Sequence, residues 1–366
     1  MEIKAQKNSL MKAIGLVANV TNTKATTVPI LGNLLMETKG KGELSIIGTD
    51  LEVGISTKVP VTVIHEGSIT VPSKKFQDII RELPEGELEI AVAKNNAVSI
   101  KSGKSFFKIM GLGKEDYPKL PEWNEDQAIE IEQAVIKESL ALTAFAISND
   151  ETRYVLNGVL FSLEDKTIKL VATDGRRLAF IQKEIPKKVQ KKWEMIVPMK
   201  AVQEMLKILT WEGVVQIIPT QNQVIFNFGE TFLVSRLIEG HFPNYQQVIP
   251  KEETTQTTLG REEFLQAVRR ASLLTSLDSP AVKLDFIKGK ILISSRAPNL
   301  GEAKEELSAD VQGKEVSIGF NPYYLTDVLK NLDEDRVSLS LTDPDKPGLL
   351  KGKNGYLYVI MPMQLN

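Results

Sequence analysis

No cysteine occurs in the 366 residues, which excludes disulfides and thiolate metal sites and is compatible with a reducing, cytoplasmic setting. Histidine is almost as scarce. His65 and His241 are the only two, far apart and each in a loop-like stretch, so no metal-ligand cluster is expected. No glycine-rich phosphate loop follows a strand, because "GLGKEDY" at 111–117 lacks both the spacing and the succeeding helix. A nucleophile elbow and a Ser/His/Asp set are also missing. Asp50 and Asp174 could be imagined as an acid/base pair, but each reads more simply as a polar residue turning the chain at a strand end. No apolar run reaches membrane-spanning length, and no signal-peptide pattern follows Met1. The formal net charge is only −2, with 45 basic and 47 acidic side chains, which argues against a protein that coats DNA tightly. These absences point away from an enzyme and call for neither cofactor nor metal.

What the chain does contain, it contains three times. "VPSKKFQDIIREL" (71–83), "VPMKAVQEMLKIL" (197–209) and "FNPYYLTDVLKNL" (320–332) each place a helix just after a proline, where a missing N–H is harmless. Their apolar stripes are Phe76, Ile79, Ile80 and Leu83; Val202, Met205, Leu206 and Leu209; Leu325, Val328, Leu329 and Leu332. Each stripe has the i, i+3, i+4, i+7 spacing of one buried helix face. Phe76 to Val202 is 126 residues and Val202 to Leu325 is 123.

A second marker keeps the interval: "LSIIGTDLEV" (44–53), "IKLVATDGRRLAF" (168–180) and "ILISSRAPNL" (291–300) each end a β-branched run at a polar turn. A third is an opening helix, with stripes Leu10, Ala13, Ile14, Val17; Leu140, Ala144, Ile147; and Phe264, Ala267, Val268, Ala271. A period this long is a domain rather than a solenoid turn, since solenoid periods run roughly 20–50 residues. Three α+β domains are expected, at 1–124, 125–251 and 252–366, with boundaries in the charged, proline-bearing stretches at 113–126 and 241–256. The repeated helices turn Lys74, Gln77, Asp78 and Arg81, and Lys200, Gln203, Glu204 and Lys207, away from their stripes. Such faces serve solubility, or form a modestly basic surface repeated around one structure.

Several stretches together carry a family resemblance: "VPILGNLLMETKGKGELSIIGTDLEV" (28–53), "RYVLNGVLF" (153–161), "VATDGRRLA" (171–179), "EGHFPNYQQVIP" (239–250) and "YVIMPMQL" (358–365). In register along the whole chain, they resemble the bacterial DNA polymerase III beta subunit, the sliding clamp. The resemblance implies the α+β DNA clamp fold, with three similar domains per chain. It further implies a head-to-tail homodimer that encircles duplex DNA and acts as a non-catalytic processivity factor. Implied partners are the DNA polymerase III alpha subunit, the clamp loader, and other polymerases and repair proteins.

Carried over to this sequence, the resemblance makes Lys24, Lys74, Asp150 and Tyr154 DNA-facing positions; Arg81 and Lys200 join them from the helix-face argument. Asp150 is acidic where an amide would suit DNA better, and Val155 replaces an aromatic. The partner-peptide pocket implied between the second and third domains comprises Leu156, Thr173, Gly175, Arg176, Arg177, Leu178, Pro243, Val248, Asn321, Tyr324, Met361, Pro362 and Met363. Around it Gln247 stands where an arginine is common, Gln364 removes a charge and Asn366 adds a residue. Pairing is expected to stop at Pro362 and leave Met363 to Asn366 beside the pocket. The subunit seam would bring Lys75, Lys104 and Phe106 of one copy against Leu273, Leu274, Glu302 and Glu305 of another. Two other classes stay open on the residues alone: an enzyme on a repeated scaffold, and a monomeric protein-binding scaffold.

Overall fold

The protein is described by a computed structural model over residues 1–21, 28–40, 42–121, 128–276, 280–298 and 300–365. Lys24, Asn366 and the expected boundary after residue 124 lie outside the described residues.

The tripled pattern becomes a tripled order of elements. The first repeat runs β1 (Glu2–Gln6), α1 (Lys7–Ala18), β2 (Asn33–Lys39), β3 (Glu43–Thr49), β4 (Val53–Pro60), β5 (Thr62–His65), β6 (Ser68–Pro72), α2 (Ser73–Glu82), β7 (Glu87–Val92), β8 (Ala97–Ser102) and β9 (Ser105–Met110). The second runs β10 (Ile129–Glu132), α3 (Gln133–Thr143), β11 (Gly158–Glu164), β12 (Thr167–Thr173), β13 (Arg177–Glu184), β14 (Trp193–Pro198), α4 (Met199–Ile208), β15 (Val214–Pro219), β16 (Gln223–Asn227) and β17 (Thr231–Arg236). The third runs β18 (Thr255–Gly260), α5 (Arg261–Ser272), β19 (Val282–Ile287), β20 (Lys290–Ala297), β21 (Gly301–Ser308), β22 (Val311–Gly313), β23 (Val316–Phe320), α6 (Pro322–Asn331), β24 (Arg336–Leu341), β25 (Gly348–Lys351) and β26 (Leu357–Ile360).

Each repeat makes two sheets. Its first strand joins the three strands after its second helix, in the orders β1-β7-β8-β9, β10-β15-β16-β17 and β18-β24-β25-β26. Its remaining strands pair as β6-β2-β3-β4, β14-β11-β12-β13 and β23-β19-β20-β21. The extra strands β5 and β22 lie beside β1 and β18.

The expected stripes of α1, α2, α5 and α6 are all buried. The middle repeat departs twice. Its opening helix ends at Thr143, where φ is −124°, and Ala144 falls in a separate 3-10 turn. The Ser139 and Thr143 hydroxyls donate to the carbonyls four residues back, at 2.6 and 2.8 Å, a contact that competes with helix geometry. In α4, Leu206 is only half-buried, whereas Glu204, expected outside, is buried with its carboxylate accepting from Lys207 Nζ at 2.7 Å.

Compactness does not follow the repeats. One unit comprises 1–134 and 200–237, the other 135–199 and 238–366. The middle repeat is divided because each of its sheets continues into a neighbour's. In the first unit β17 pairs antiparallel with β4, and in the second β13 pairs antiparallel with β26. Both joints therefore link the fourth strand of one repeat to the last strand of the next.

After β9 the chain is pinned by Tyr117, a buried ring packed with Ile30 and Leu35 whose hydroxyl reaches the carbonyls of Asn33 and Ile47, each at 3.2 Å. Burial pushes this phenol well above its ordinary value. The folded state thus holds the proton more tightly than the unfolded chain. Its contribution is complete below about pH 10 and declines as pH rises further. Tyr117→Phe should cost about 1 kcal/mol at neutral pH and flatten the loss of stability above about pH 10, as read from urea unfolding at the two pH values.

Candidate functional site: an apolar pocket, basic helix faces and two strand edges

All thirteen pocket positions expected from the sequence fall within the second unit. The turn between β12 and β13 supplies five of them. Thr173 Oγ1 donates to the Arg177 carbonyl at 2.6 Å and accepts from Gly175 N at 3.0 Å. Asp174 Oδ1 accepts the N–H groups of Arg176 and Arg177 at 2.9 and 3.0 Å. Asp174 thus forms the turn, as the simpler reading of the sequence has it. Gly175 sits at φ +83°, a left-handed conformation that glycine adopts without strain.

The two arginines of this turn differ in kind. Arg176 is exposed, and its side chain has no partner among the described residues. Arg177 is enclosed: Nε meets Asp174 at 3.1 Å, Nη1 meets Asp327 at 2.6 Å, and Nη2 donates to the Phe145 carbonyl at 2.7 Å. Its guanidinium also lies 4.5 Å from the Tyr324 ring centroid. Burial works against the charge, yet Tyr358 and the Asp327 and Asp174 carboxylates more than offset it. Arg177 therefore ties the turn to α6, where Asn321 caps the helix by accepting from Tyr323 N at 2.9 Å.

The candidate pocket positions adjoin an apolar cluster. Leu178 and Val359, opposite each other across the β13·β26 joint, belong to a buried cluster with Leu160 and Leu349. Val155, Phe242, Tyr245 and Ile249 pack on it. None of those four was singled out as lining, although the near-helical spacing of the last three inside a proline-bearing loop is a signal of packing. Leu156 is buried, whereas Pro243, Val248 and Met361 are exposed.

The tail corrects one expectation. Pairing does not stop at Pro362: Met361 N donates to the Arg176 carbonyl at 2.9 Å and Met363 N to the Gly319 carbonyl at 2.8 Å. Leu365 covers Gly319, where a Cβ would come within 2.7 Å of its Cδ2. The lack of a side chain at Gly319 lets the tail lie down against β23.

Of the DNA-facing candidates, Lys74 is exposed at the start of α2, and Arg81 is exposed but paired with Asp78 at 3.2 Å. Lys200 is bound to the carboxylate of Asp50, which also forms a turn by accepting Glu52 N and Val53 N. Tyr154 is 59% exposed. Asp150 caps a short 3-10 segment: the Thr152 hydroxyl and N–H hold its carboxyl below the usual range, leaving an acceptor-only group that offers phosphate no donor.

Several seam candidates lie at two strand edges. β9 is the last strand of its sheet and β21 the first of its own, so among the described residues each is paired on one side only. Lys104 and Phe106, at the β9 edge, and Lys75, on α2, are exposed, with Phe106 at 58%. On the β21 side Leu273 is 76% exposed and Leu274 half-buried. The acids there are partly engaged: Glu305 takes both ends of the Arg270 guanidinium, at 3.0 and 2.5 Å, and Glu302 lies 3.6 Å from Lys304.

Family models for the DNA polymerase III beta subunit match in order: the N-terminal domain over 1–121, the central domain over 130–244 and the C-terminal domain over 246–364. Beta sliding clamps of Chlamydia muridarum and Escherichia coli K12 are 33% and 34% identical to the chain, with full coverage of both partners in each case. The chain belongs to the beta sliding clamp family. A crystal structure of the Bacillus subtilis sliding clamp, 31% identical, superposes with a TM-score of 0.95 over all of both chains. The three repeats are three clamp domains, and clamps are processivity factors rather than catalytic subunits.

Arg177 is the anchor among the candidate pocket residues that substitution tests most directly. Removing a fully buried cation from its carboxylates costs roughly 3–5 kcal/mol, and the 36% exposure of Asp327 lowers that figure here. Arg177→Met should lower the unfolding free energy by about 2 kcal/mol, as urea titration with a probe in the second unit would measure.

Proposed function

We propose that two copies of this chain close head to tail into a ring around duplex DNA. The reading rests on one observation. Within a chain, every fourth strand of a second sheet meets the last strand of a neighbouring repeat, as β4·β17 and β13·β26, except β21 and β9, which are left over. Joining β21 of one copy to β9 of the other repeats the same junction and satisfies both edges. A heterologous contact whose rotation closes produces a ring. Lys75 and Lys104 against Glu302 and Glu305 would set register more than affinity, the more so because Arg270 already shares Glu305.

Such a ring holds DNA by topology, so its inner face needs few cations. Lys74, Arg81, Lys200 and Tyr154 are the proposed lining from the described residues, together with Lys24. Ion pairing of Arg81 and Lys200 tempers their pull on phosphate, which suits sliding. The second-unit pocket is proposed to receive short peptides of the DNA polymerase III alpha subunit, the clamp loader and other polymerases and repair proteins. Exposed Met361, bonded to the turn before Leu178, and exposed Val248, next in sequence to the Ile249 that packs on the Leu178 cluster, support that reading, and methionine repacks readily around different side chains.

Leu273→Asp combined with Leu274→Asp should give folded monomers in sedimentation, since a carboxylate buried without a partner costs several kcal/mol. Wild-type rings should stay on closed circular DNA and run off once it is cut, and the double variant should stay on neither. Equal retention on linear and circular DNA would refute the topological mechanism.

Val248→Asp with Met361→Asp should leave stability within about 0.5 kcal/mol, both sites being exposed, yet weaken binding of the polymerase alpha subunit by tenfold or more in titration (about 1.4 kcal/mol). Unchanged affinity would move the pocket elsewhere.

A further inference from the structure

The β17·β4 joint of the first unit repeats the hydrogen bonds of the β13·β26 joint that borders the pocket. Thr49 Oγ1 donates to the Val53 carbonyl and accepts from Leu51 N, as Thr173 does with Arg177 and Gly175. Asp50 Oδ1 accepts from Glu52 N and Val53 N, as Asp174 does two and three residues on. Arg236 N donates to the Glu52 carbonyl at 2.9 Å, and Met361 N to the Arg176 carbonyl at 2.9 Å. These bonds, with the strand register, place Leu51 where the pocket has Gly175, Glu52 for Arg176, Gly54 for Leu178, Val234 for Val359 and Arg236 for Met361. In the third repeat Ala297 pairs with Gly301, and Ser295, two residues before Ala297, donates to the Ala271 carbonyl.

A hollow of about 140 Å³ opens at this first-unit position, with Leu51, Leu120, Val234 and Arg236 in its walls. A space of roughly 150 Å³ accommodates a benzene-sized group. Gly54 lets Leu120 form one of these walls: Leu120 Cδ2 lies 2.4 Å from where a Cβ would be. Leu51 stands at φ +78°, a conformation that costs an ordinary side chain strain, and remains 48% exposed. The turn imposes this conformation, as it does on Gly175 at φ +83°, and here it sets a leucine rather than a glycine at the mouth of the hollow.

The walls carry one carboxylate, Glu52, and two cations, and that balance says what the hollow would take. Where the second unit sets a neutral Met361, the first sets Arg236, and Lys119 stands beside it. Both are exposed, and neither side chain has a partner among the described residues. We propose that the first unit carries a second peptide site, taking a short segment in which an acidic side chain adjoins an aliphatic one. The aliphatic group would enter against Leu51, Leu120 and Val234, and the carboxylate would meet Arg236. The proposal rests on reading the second-unit pocket as a peptide site, because the two share one backbone frame.

The test uses the full chain with carbon-13 labelled leucine and valine methyls, titrated with the end-blocked tripeptides Leu-Asp-Leu and Leu-Asn-Leu. Saturable shifts at Leu51, Leu120 and Val234 are expected for the acidic peptide, with affinity about tenfold weaker for the neutral one, the scale of a charge-assisted hydrogen bond. Arg236→Glu should abolish them. Leu51→Gly should raise Tm while abolishing the shifts at Leu120 and Val234. Absent shifts, equal affinity for the two peptides, or binding that survives either substitution would overturn the proposal. Leu178 and Val359 methyls report the second-unit pocket separately, so its failure and this one are distinguishable.

Discussion

A strand edge presents a row of N–H and C=O groups that must find partners, and this chain meets that demand between repeats as well as within them. The β4·β17 and β13·β26 ladders are ordinary antiparallel pairings, yet they fuse sheets of consecutive repeats into continuous ones of eight and nine strands. The rest follows from them. The middle repeat is shared between two compact units because its two sheets are committed in opposite directions along the chain. The pocket residues converge because the last strand of the third repeat is laid against the turn-bearing strand of the second.

At both joints the same short polar turn does the local work. A threonine and an aspartate take up the free N–H groups and return a hydroxyl to the strand, so the chain reverses without a buried orphan donor. In the second unit the adjoining arginine extends this anchorage through Asp327 into α6, which ties the turn down next to Met361. Rigidity matters for a site of this kind, because ordering a loop on binding would be subtracted from whatever affinity the contacts provide.

The helices and the period of the repeat were legible in the sequence because apolar spacing is a strong local signal: the stripes of α2 and α6 are buried as their spacing implies. Two features of the middle repeat were not legible. Glu204 looks like a solvent residue until tertiary packing covers it, and Thr143 gives no warning that its hydroxyl will turn back into the helix. For the site, residue types were readable but commitments were not. Arg176 and Arg177 are adjacent and identical in composition, and only the fold makes one free and the other the centre of an ion cluster. At the tail, Pro362 forbids one hydrogen bond but says nothing of Met363, which finds Gly319.

The joints also differ in what dilution does to them. Two of them connect parts of one polypeptide, so their strands meet at an effective concentration fixed by the intervening chain, on the order of millimolar for short flexible connections. They remain closed however few molecules are present. In the proposed ring, the joints between β21 and β9 have no covalent tether, and their occupancy follows the amount of protein available. A molecule assembled this way has built-in gates, the two untethered joints, and any factor that must pass DNA into the ring has to act on the exposed aromatic edge at Phe106 or the leucine at 273 rather than on the sheets between.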